Sequence, residues 1–405
     1  MKWLPSLRSG GAGLSRRDVL RSLGVGGLAL GLPGLSFAAA EGDARLLVVL
    51  LRGGLDGLGA VPPHGDPGYR SARGSMALPA PGESDQGIAD LDGFYGLHPA
   101  LAPLMPLWDD GELALVHATA LPFKDRSHFD SQNVLENGTS RPFGANTGWL
   151  NRALVGRDRT PALAVGRALP LILRGPASTT SADPLRSFVP DDSFLVAVSE
   201  LYRADAELGE ALDIGIQTQA MLASHRGGMR QSSRERRPDL EKSARVLGGV
   251  LAAPDGPRVA VLEIGGWDTH TGQDGGLKRL LSGFASAIGG LRESMGPAWK
   301  KTVVLGMTEF GRTIHANGTA GTDHGTASVT FVLGGGVAGG RVYGDWPGLG
   351  GGQQFDGRDL RGTTDIRSVS KAVLMGHLGV PDSVIEDTVF PESRDAKPML
   401  ELMRT

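Results

Sequence analysis

The sequence predicts an α/β fold, in which helices cover both faces of a mostly parallel central sheet. Three observations lead to this prediction. Continuous apolar runs recur along the chain, and such runs are typical of strands buried on both faces. Segments with helical apolar spacing separate them. Glycine-rich turns follow several of the runs, within a chain that has 62 glycines among 405 residues.

The strands are predicted from apolar runs bounded by polar or glycine residues. They are expected, in chain order, at 45–51, 113–117, within 162–173, and at 259–264, 303–307 and 328–333. Two further stretches lack such runs. Residues 61–95 are rich in Pro, Gly, Asp and Ser and are expected to form an excursion over the surface, and residues 226–238 are expected to form an exposed linker.

The helices are predicted from apolar spacing and from end signals. They are expected at 98–108, 128–138, 148–154, 192–222, 239–251, 277–291 and 365–378. Ser127 is a plausible N-cap for the second of these helices, and Gly138 is a plausible stop.

The composition is that of a globular protein. Hydrophobic residues make up 40% of the chain and charged residues 21%, which excludes a largely disordered protein. The formal net charge of -3 gives no electrostatic reason to expect a nucleic acid partner. The chain has no cysteine, so disulfides, thiolate metal ligands and cysteine nucleophiles are excluded.

Residues 1–40 have the three parts of a signal peptide. Arg16-Arg17 lies in a basic region, an apolar stretch covers 23–37, and Ala38-Ala39-Ala40 is a small-residue cleavage pattern. The paired arginines resemble a twin-arginine signal, so the twin-arginine export machinery is an expected partner. We expect a periplasmic or secreted protein without a stable membrane span in its mature form. Residues 41–405 are expected to form a single α/β domain with a helical insertion near 190–250.

The segment 258–270 carries the first candidate site. Its apolar strand breaks at Gly265-Gly266 and then presents Asp268 and His270. Residues two apart in an extended segment point to the same face, so this carboxylate and imidazole can bind one metal ion. The alternative is a glycine-rich turn in which both side chains only bind the loop.

Acidic and imidazole side chains follow other strands too. Asp56 and Glu309 come after the first and the fifth expected strands, and Asp323-His324 lies on a glycine-flanked loop. Sites in open α/β sheets lie beyond the carboxyl ends of the strands. Asp56 could instead make an Asx turn, Glu309 could pair with Arg312, and only one of Asp323 and His324, for which we favour His324, is expected to face the site. Oxygen and imidazole donors suit divalent zinc or manganese, and there are enough donors for two ions.

The segment around Ser127 supplies the candidate catalytic groups. A serine at a helix N-terminus is well placed as a nucleophile, although Ser127 could be a cap alone. His128 could be a ligand, a base or a surface residue. Arg312 or Lys124 is expected to stabilise negative charge during the reaction.

Five segments together resemble the bacterial family called domain of unknown function 1501, within the alkaline-phosphatase-like superfamily. They are LRGGLDG (51–57), RSHFD (126–130), GGWDTH (265–270), TEFGRT (308–313) and GTDHG (321–325). The resemblance implies an alkaline-phosphatase-like sheet and a two-metal site of phosphatase or sulfatase type. It implies that Asp56, Asp268, His270 and His324 bind metal, that Ser127 is the nucleophile, and that Glu309 stands where an aspartate is usual.

We therefore expect an exported metal-dependent hydrolase that acts on phosphate or sulfate esters of small molecules or glycans. The alternative is a non-catalytic, metal-stabilised envelope or binding protein that keeps the fold with an altered site.

Overall fold

A computed structural model describes residues 43–157, 161–186, 191–227, 229 and 239–404. Its main feature is a sheet of nine described strands. They are β1 (Arg45–Arg52), β4 (Leu113–Ala120), β5 (Ala162–Val165), β6 (Thr179–Ala182), β7 (Val259–Gly265), β8 (Thr302–Met307), β9 (Ser328–Leu333), β10 (Arg341–Tyr343) and β11 (Thr364–Asp365). Their order in the sheet is β10-β4-β9-β8-β1-β7-β5-β6, with β11 also paired to β4. A separate antiparallel pair is formed by β2 (Ala89–Asp90) and β3 (Gly96–Leu97).

The sheet is mostly parallel, as predicted. The strand β1 lies between β7 and β8 and runs parallel to both. Only β9 runs antiparallel to its neighbours, β4 and β8, within the described sheet. The carboxyl ends of β7, β1 and β8 therefore meet at one edge, where residues 52–56, 266–270 and 308–312 leave the sheet.

Both faces of the sheet are covered, which explains the continuous apolar runs. Alternate residues of β1 point to opposite sides: Leu47, Val49 and Leu51 belong to one apolar cluster, and Leu46, Val48 and Leu50 to another. All six of these leucines and valines are buried. Burying each such side chain contributes about 1.5–3 kcal/mol, so the central strands are fixed chiefly by packing.

Eleven α-helices lie in the described parts of the chain. They are α1 (Gly57–Ala60), α2 (Tyr69–Arg73), α3 (Met105–Asp109), α4 (His128–Asn137), α5 (Trp149–Leu154), α6 (Asp192–Tyr202), α7 (Ala206–Arg226), α8 (Leu240–Ala252), α9 (Gln273–Met295), α10 (Ile366–Gly376) and α11 (Asp382–Val384). Helices α8 and α9 contribute to the first apolar cluster, and α4, α5 and α10 to the second.

Short 3₁₀ and π segments complete the secondary structure that the structure describes. The 3₁₀ segments are Gly74–Met76, Pro99–Leu104, Leu171–Leu173, Gly296–Lys301, Gly351–Gln353 and Leu400–Leu402, and a π-helical turn covers Ile385–Val389. The helix expected at 98–108 is therefore a 3₁₀ segment followed by α3. The proline at position 103 fits this break, since proline cannot donate the backbone hydrogen bond of a helix interior.

Two predictions about α4 are confirmed by its ends. The Ser127 side chain accepts a hydrogen bond from the Asp130 backbone N–H, and Gly138 ends the helix in a left-handed conformation with φ 73°. The expected surface excursion at 61–95 is wrong in one respect. Tyr69 and Arg73 of α2 are buried, and the Arg73 guanidinium donates a hydrogen bond to the Ile314 carbonyl inside the protein.

The described residues form two compact units. The smaller contains residues 191–212, and the larger contains the remaining described residues. The expected helical insertion near 190–250 stays a prediction, and the described part of that stretch holds α6, α7 and α8. The predicted signal segment at 1–40 and most of the predicted linker at 226–238 lie outside the described residues. Across those described residues, no helix combines the length and the apolar character that a membrane crossing requires.

Candidate metal centre

Four side chains meet at the carboxyl edge of the central strands. Asp268 and His270 follow β7, His128 is the first residue of α4, and His324 lies on the loop between β8 and β9. The Asp268 Oδ1 atom lies 2.9 Å from His270 Nε2 and 3.1 Å from His324 Nε2. The Asp268 Oδ2 atom lies 3.4 Å from His128 Nε2. We call these four residues the His₃Asp cluster.

The Nδ1 atom of each histidine in the cluster contacts a protein oxygen on the side of the ring away from Asp268. The Nδ1–H of His324 donates to the Arg126 carbonyl at 2.9 Å. His128 Nδ1 lies 3.0 Å from Glu309 Oε1, and His270 Nδ1 lies 3.2 Å from Asp323 Oδ1. A carbonyl or carboxylate can only accept, so these contacts assign a proton to each Nδ1. In the neutral ring, this tautomer leaves a lone pair on Nε2 that can bind an ion.

This arrangement suits a divalent ion. The Nε2 atoms of His270 and His324 lie 3.0 Å apart, and His128 Nε2 is buried with no hydrogen-bond partner. Lone pairs that face each other at this distance repel unless a proton or a cation lies between them. Zinc–nitrogen bonds of about 2.0–2.1 Å put neighbouring tetrahedral ligand atoms about 3.3 Å apart, close to the separations found here. One ligand atom from each of His128, Asp268 and His324 lies within 4.8 Å of the others.

The environment of the cluster favours the ligand forms of Asp268 and His324. Burial raises the pKa of Asp268, but the hydrogen bond and charge of Arg312 lower it more, so the pKa lies below its ordinary value. Burial lowers the pKa of His324, because the charged imidazolium loses its hydration. The pKa of His128 is raised instead, chiefly by its hydrogen bond to Glu309. A metal ion would have to displace the proton that this raised pKa holds on His128.

Glu309, predicted as a metal ligand, lies behind His128. It is 1% exposed, and its Oε1 accepts hydrogen bonds from the Gly53 N–H and from Gln132 Nε2, each at 2.8 Å, as well as from His128. Burial raises the pKa of Glu309, but the hydrogen bonds from His128 and Gln132 lower it more, so the pKa lies below its ordinary value. A carboxylate behind a histidine orients the ring and increases its basicity as a metal ligand.

Asp323 and His324 face different ways, as neighbours in an extended segment should. His324 Nε2 points at Asp268, whereas Asp323 binds His270 Nδ1 and the Asn317 side chain. The pKa of Asp323 is lowered, first by the hydrogen bond from Asn317. Asp323 thus stands behind His270 as Glu309 stands behind His128.

Asp56 lies apart from the cluster contacts. It is 1% exposed, and its Oδ1 accepts a hydrogen bond from the Gly59 N–H at 3.1 Å, so it caps α1. Its Oδ2 forms an ion pair with Arg73 and accepts a hydrogen bond from Gln273 Nε2 at 2.5 Å. Both oxygens of Asp56 therefore already have protein donors. These contacts correspond to the turn role that the sequence offered as the alternative for Asp56.

The two candidate catalytic cations and the candidate nucleophilic hydroxyl also bind protein groups. Arg312 is 1% exposed, and its Nη1 donates to Asp268 Oδ1 at 2.5 Å. Lys124 Nζ donates to the Leu121 carbonyl at 2.7 Å. The Ser127 hydroxyl accepts from the Asp130 N–H at 3.4 Å. These side chains are held by the fold, and only Arg312 contacts the His₃Asp cluster.

Sequence reasoning missed two features of this site. It left the role of His128 open among ligand, base and surface residue, because nothing in a helix N-terminus shows which way the ring points. It also missed the Arg126 carbonyl, since a backbone acceptor leaves no signal in residue type. The Arg126 side chain is fixed by Asp359, which is fully buried, through a bond of 2.8 Å from Nε to Oδ2.

Comparisons with known proteins give one family match and several distant structural likenesses. The model of DUF1501, described as a protein of unknown function, matches residues 114–386. A search of curated protein sequences finds no match. A structure titled as Ps i-CgsB with k-i-k-neocarrahexaose is 9% identical, with a TM-score of 0.40, over 85% of this chain and 73% of that one.

Two further solved structures overlap similarly. The C-terminal periplasmic domain of EcEptC from Escherichia coli, in complex with Zn, is 9% identical, with a TM-score of 0.35, over 72% of each chain. A 2-O GAG sulfatase is 10% identical, with a TM-score of 0.36, over 88% of this chain and 73% of that one.

Proposed function

We propose that this chain, which belongs to the DUF1501 family of proteins of unknown function, binds one divalent metal ion and hydrolyses phosphate or sulfate esters. Zinc is the ion that fits best. One observation carries this proposal. Three imidazole Nε2 atoms face the Asp268 carboxylate while each Nδ1 is held from behind. A His₃Asp donor set without thiolate suits zinc or a similar borderline ion.

The cluster is open enough for hydrolysis. The side chains of Asp268 and His270 are 40% and 42% exposed, and those of His128 and His324 are each 25% exposed. Structural zinc sites are closed, whereas catalytic sites keep a position that solvent and substrate can reach. A divalent ion in such a site supplies Lewis-acid polarisation of an ester oxygen.

The remaining residues have supporting roles in this proposal. Arg312 holds Asp268, Glu309 holds His128, and Asp323 holds His270. The proposal takes one ion and not two, because Asp56, Glu309 and Asp323 are already engaged with protein groups. It assigns no nucleophilic step to Ser127, whose hydroxyl caps α4. The ester class is taken from the resemblance of the five sequence segments to the alkaline-phosphatase-like superfamily.

Metal content and turnover, measured on the same preparations, test the proposal. The wild-type protein should hold about one equivalent of metal and hydrolyse a generic aryl phosphate or aryl sulfate. Asp268→Asn keeps size but removes charge, and His270→Ala removes one imidazole; both should be substoichiometric in metal and lose more than about 100-fold in turnover. His225→Ala, on α7, is the matched control and should retain both properties. Full metal occupancy in Asp268→Asn and His270→Ala would refute the assignment.

A non-catalytic metal-binding protein is the second candidate, and one observation favours it. Arg312 and Lys124, the two alternatives predicted to stabilise negative charge during the reaction, both donate to protein acceptors. If the wild-type protein binds metal stoichiometrically but turns over neither ester, this second function replaces the hydrolase.

We further propose export through the twin-arginine route to the periplasm or beyond it. Support comes from Arg16-Arg17, the apolar stretch 23–37 and Ala38-Ala39-Ala40, in that order. Replacing Arg16 and Arg17 together by lysine should leave the precursor in the cytoplasm, measured by fractionation of the producing cells. An unchanged periplasmic yield would show that these residues are not an export signal.

A further inference from the structure

A buried chain of polar side chains leads away from Asp268 toward the core. Arg312 donates through Nη1 to Asp268 and through Nε to Thr322 Oγ1 at 3.1 Å. The Thr322 hydroxyl donates to Gln273 Oε1 at 2.5 Å. Arg312, Thr322 and Gln273 are each 1% exposed or less. We call these three residues the Asp268 relay.

Gln273 binds two of the three chain segments that form the His₃Asp cluster. Its Oε1 also accepts a hydrogen bond from the Thr269 hydroxyl at 2.8 Å. Thr269 lies between the ligands Asp268 and His270, and Thr322 lies two residues before His324. One amide oxygen therefore ties the segment after β7 to the loop after β8.

The direction of every hydrogen bond in the relay is fixed at its far end. Gln273 Nε2 donates to Asp56 Oδ2, and a carboxylate oxygen can only accept. This contact sets the orientation of the amide, so its oxygen faces the two threonine hydroxyls. The Thr322 hydroxyl must then donate to Gln273, which leaves its lone pairs for Arg312 Nε.

The anchor of the relay is buried and hydrogen-bonded. Asp56 is paired with the buried Arg73, whose Nη1 donates to the Ile314 carbonyl at 3.0 Å. Gln273 itself opens α9, a 23-residue helix that packs in the first apolar cluster. Displacement of Gln273 would thus require movement of groups that are buried and hydrogen-bonded.

We propose that Gln273 is a positioning residue that holds Asp268 in its metal-binding orientation through Thr322 and Arg312. The inference rests on the proposed function, in which Asp268 binds the ion. No hydrogen bond joins Gln273 to a ligand atom of the cluster, so it acts through the relay and through the Thr269 hydroxyl. A purely structural role, in which the relay stabilises the fold and leaves metal geometry unaffected, is the competing explanation.

The test uses Co²⁺ as a probe, because its visible absorption depends on the geometry of its ligands. Gln273→Met removes the amide while keeping the length of the side chain. Thr322→Val removes the hydroxyl that joins Gln273 to Arg312. Both variants should bind Co²⁺ about ten-fold more weakly than the wild-type protein and show a shifted absorption spectrum. Since Gln273→Met already breaks the relay that Thr322→Val breaks, the double variant should bind Co²⁺ little more weakly than Gln273→Met alone.

A matched control separates positioning from loss of stability. Asn151 is a fully buried amide on α5 that donates to the Leu173 carbonyl at 2.9 Å, away from the carboxyl edge. Asn151→Leu should lower the unfolding temperature while leaving Co²⁺ affinity and the spectrum unchanged. If Gln273→Met does not fold, Thr322→Val alone decides the question.

The outcomes also distinguish this inference from the proposed function. Unchanged Co²⁺ affinity and spectrum in folded Gln273→Met and Thr322→Val would overturn the positioning role while the metal site stands. A wild-type protein that binds no Co²⁺ would overturn the metal site itself, and the positioning role with it.

Discussion

At the scale of single residues, hydrogen-bond partners decide which chemistry a side chain can offer. Asp268 and Asp56 are both aspartates just beyond a strand end. Asp268 has one arginine partner and a 40% exposed side chain, so it can still bind an ion. Asp56 has Arg73, Gln273 and the Gly59 N–H as donors and is closed to solvent. The same residue type therefore serves as a candidate ligand in one place and as an anchor in the other.

A buried histidine away from the site makes stability depend on pH. His117, in β4, is 1% exposed, stacks on Tyr95, and makes a 3.0 Å hydrogen bond through Nε2 to the Val61 carbonyl. Burial lowers the pKa of His117 to about 4, although the Val61 bond and the charge of Asp56 oppose this. The unfolded chain, with a histidine pKa of about 6.5, binds the proton more readily.

Acid should therefore destabilise the protein through His117. Its contribution is fully present above about pH 6.5 and is lost as the pH falls from about 6.5 to 4, by about 3 kcal/mol in the free energy of unfolding. Denaturant unfolding at a series of pH values measures this slope. His117→Gln should make the slope shallower, whereas Val116→Ala, a non-titrating change on the same strand, should keep it. Equal slopes in the wild-type protein and His117→Gln would contradict the prediction.

At the scale of elements, the site depends on how closely the ends of β1 and β7 approach each other. Gly53 adopts φ 123°, and a Cβ at this position would lie 2.5 Å from the Asp268 backbone nitrogen. Its own N–H donates to Glu309. A glycine is needed here because the backbone conformation and the contact with the Asp268 segment both exclude a side chain.

Gly53→Ala should displace the Asp268 segment. We expect a loss of about 1–3 kcal/mol in the free energy of unfolding, together with reduced metal content. Gly265→Ala is the matched control, since a Cβ at Gly265 meets nothing within 4 Å, and its effect should stay within about 0.5 kcal/mol. Thermal unfolding and elemental analysis of both variants provide the measurements. Similar stability and metal content in the two variants would refute the close-approach argument.

The elements that the sequence predicted best are those whose signal is local. The runs at 45–51 and 259–264 are strands because alternate residues pack into the two apolar clusters. The Ser127 cap is indicated by a serine directly before the first residue of the helix. The partnership of Asp56 with Arg73 could not be predicted this way. Arg73 lies in a stretch whose Pro, Gly, Asp and Ser content indicates surface loop, and only the tertiary structure brings its guanidinium inside.

At the scale of the whole molecule, the parallel order β7-β1-β8 explains why strand-end residues meet at one edge. That rule predicted the neighbourhood of Asp268, His270 and Glu309 correctly. The rule could not show which of these residues faces the metal position, because the difference between a ligand and the residue that orients it depends on the direction of the side chain. Glu309 and Asp323 are separated from the Nε2 atoms by the width of an imidazole ring, which no spacing in the sequence encodes.

The residues of the His₃Asp cluster are brought together by folding from three separate parts of the chain, near 128, 268 and 324. An unfolded chain has no such cluster, so an ion that binds it stabilises only the folded protein. If the chain is exported already folded, the cluster exists in the cytoplasm and can bind an ion there before transport. An ion bound at that stage would reflect the metal supply of the compartment in which the chain folds, and not that of the compartment in which it works.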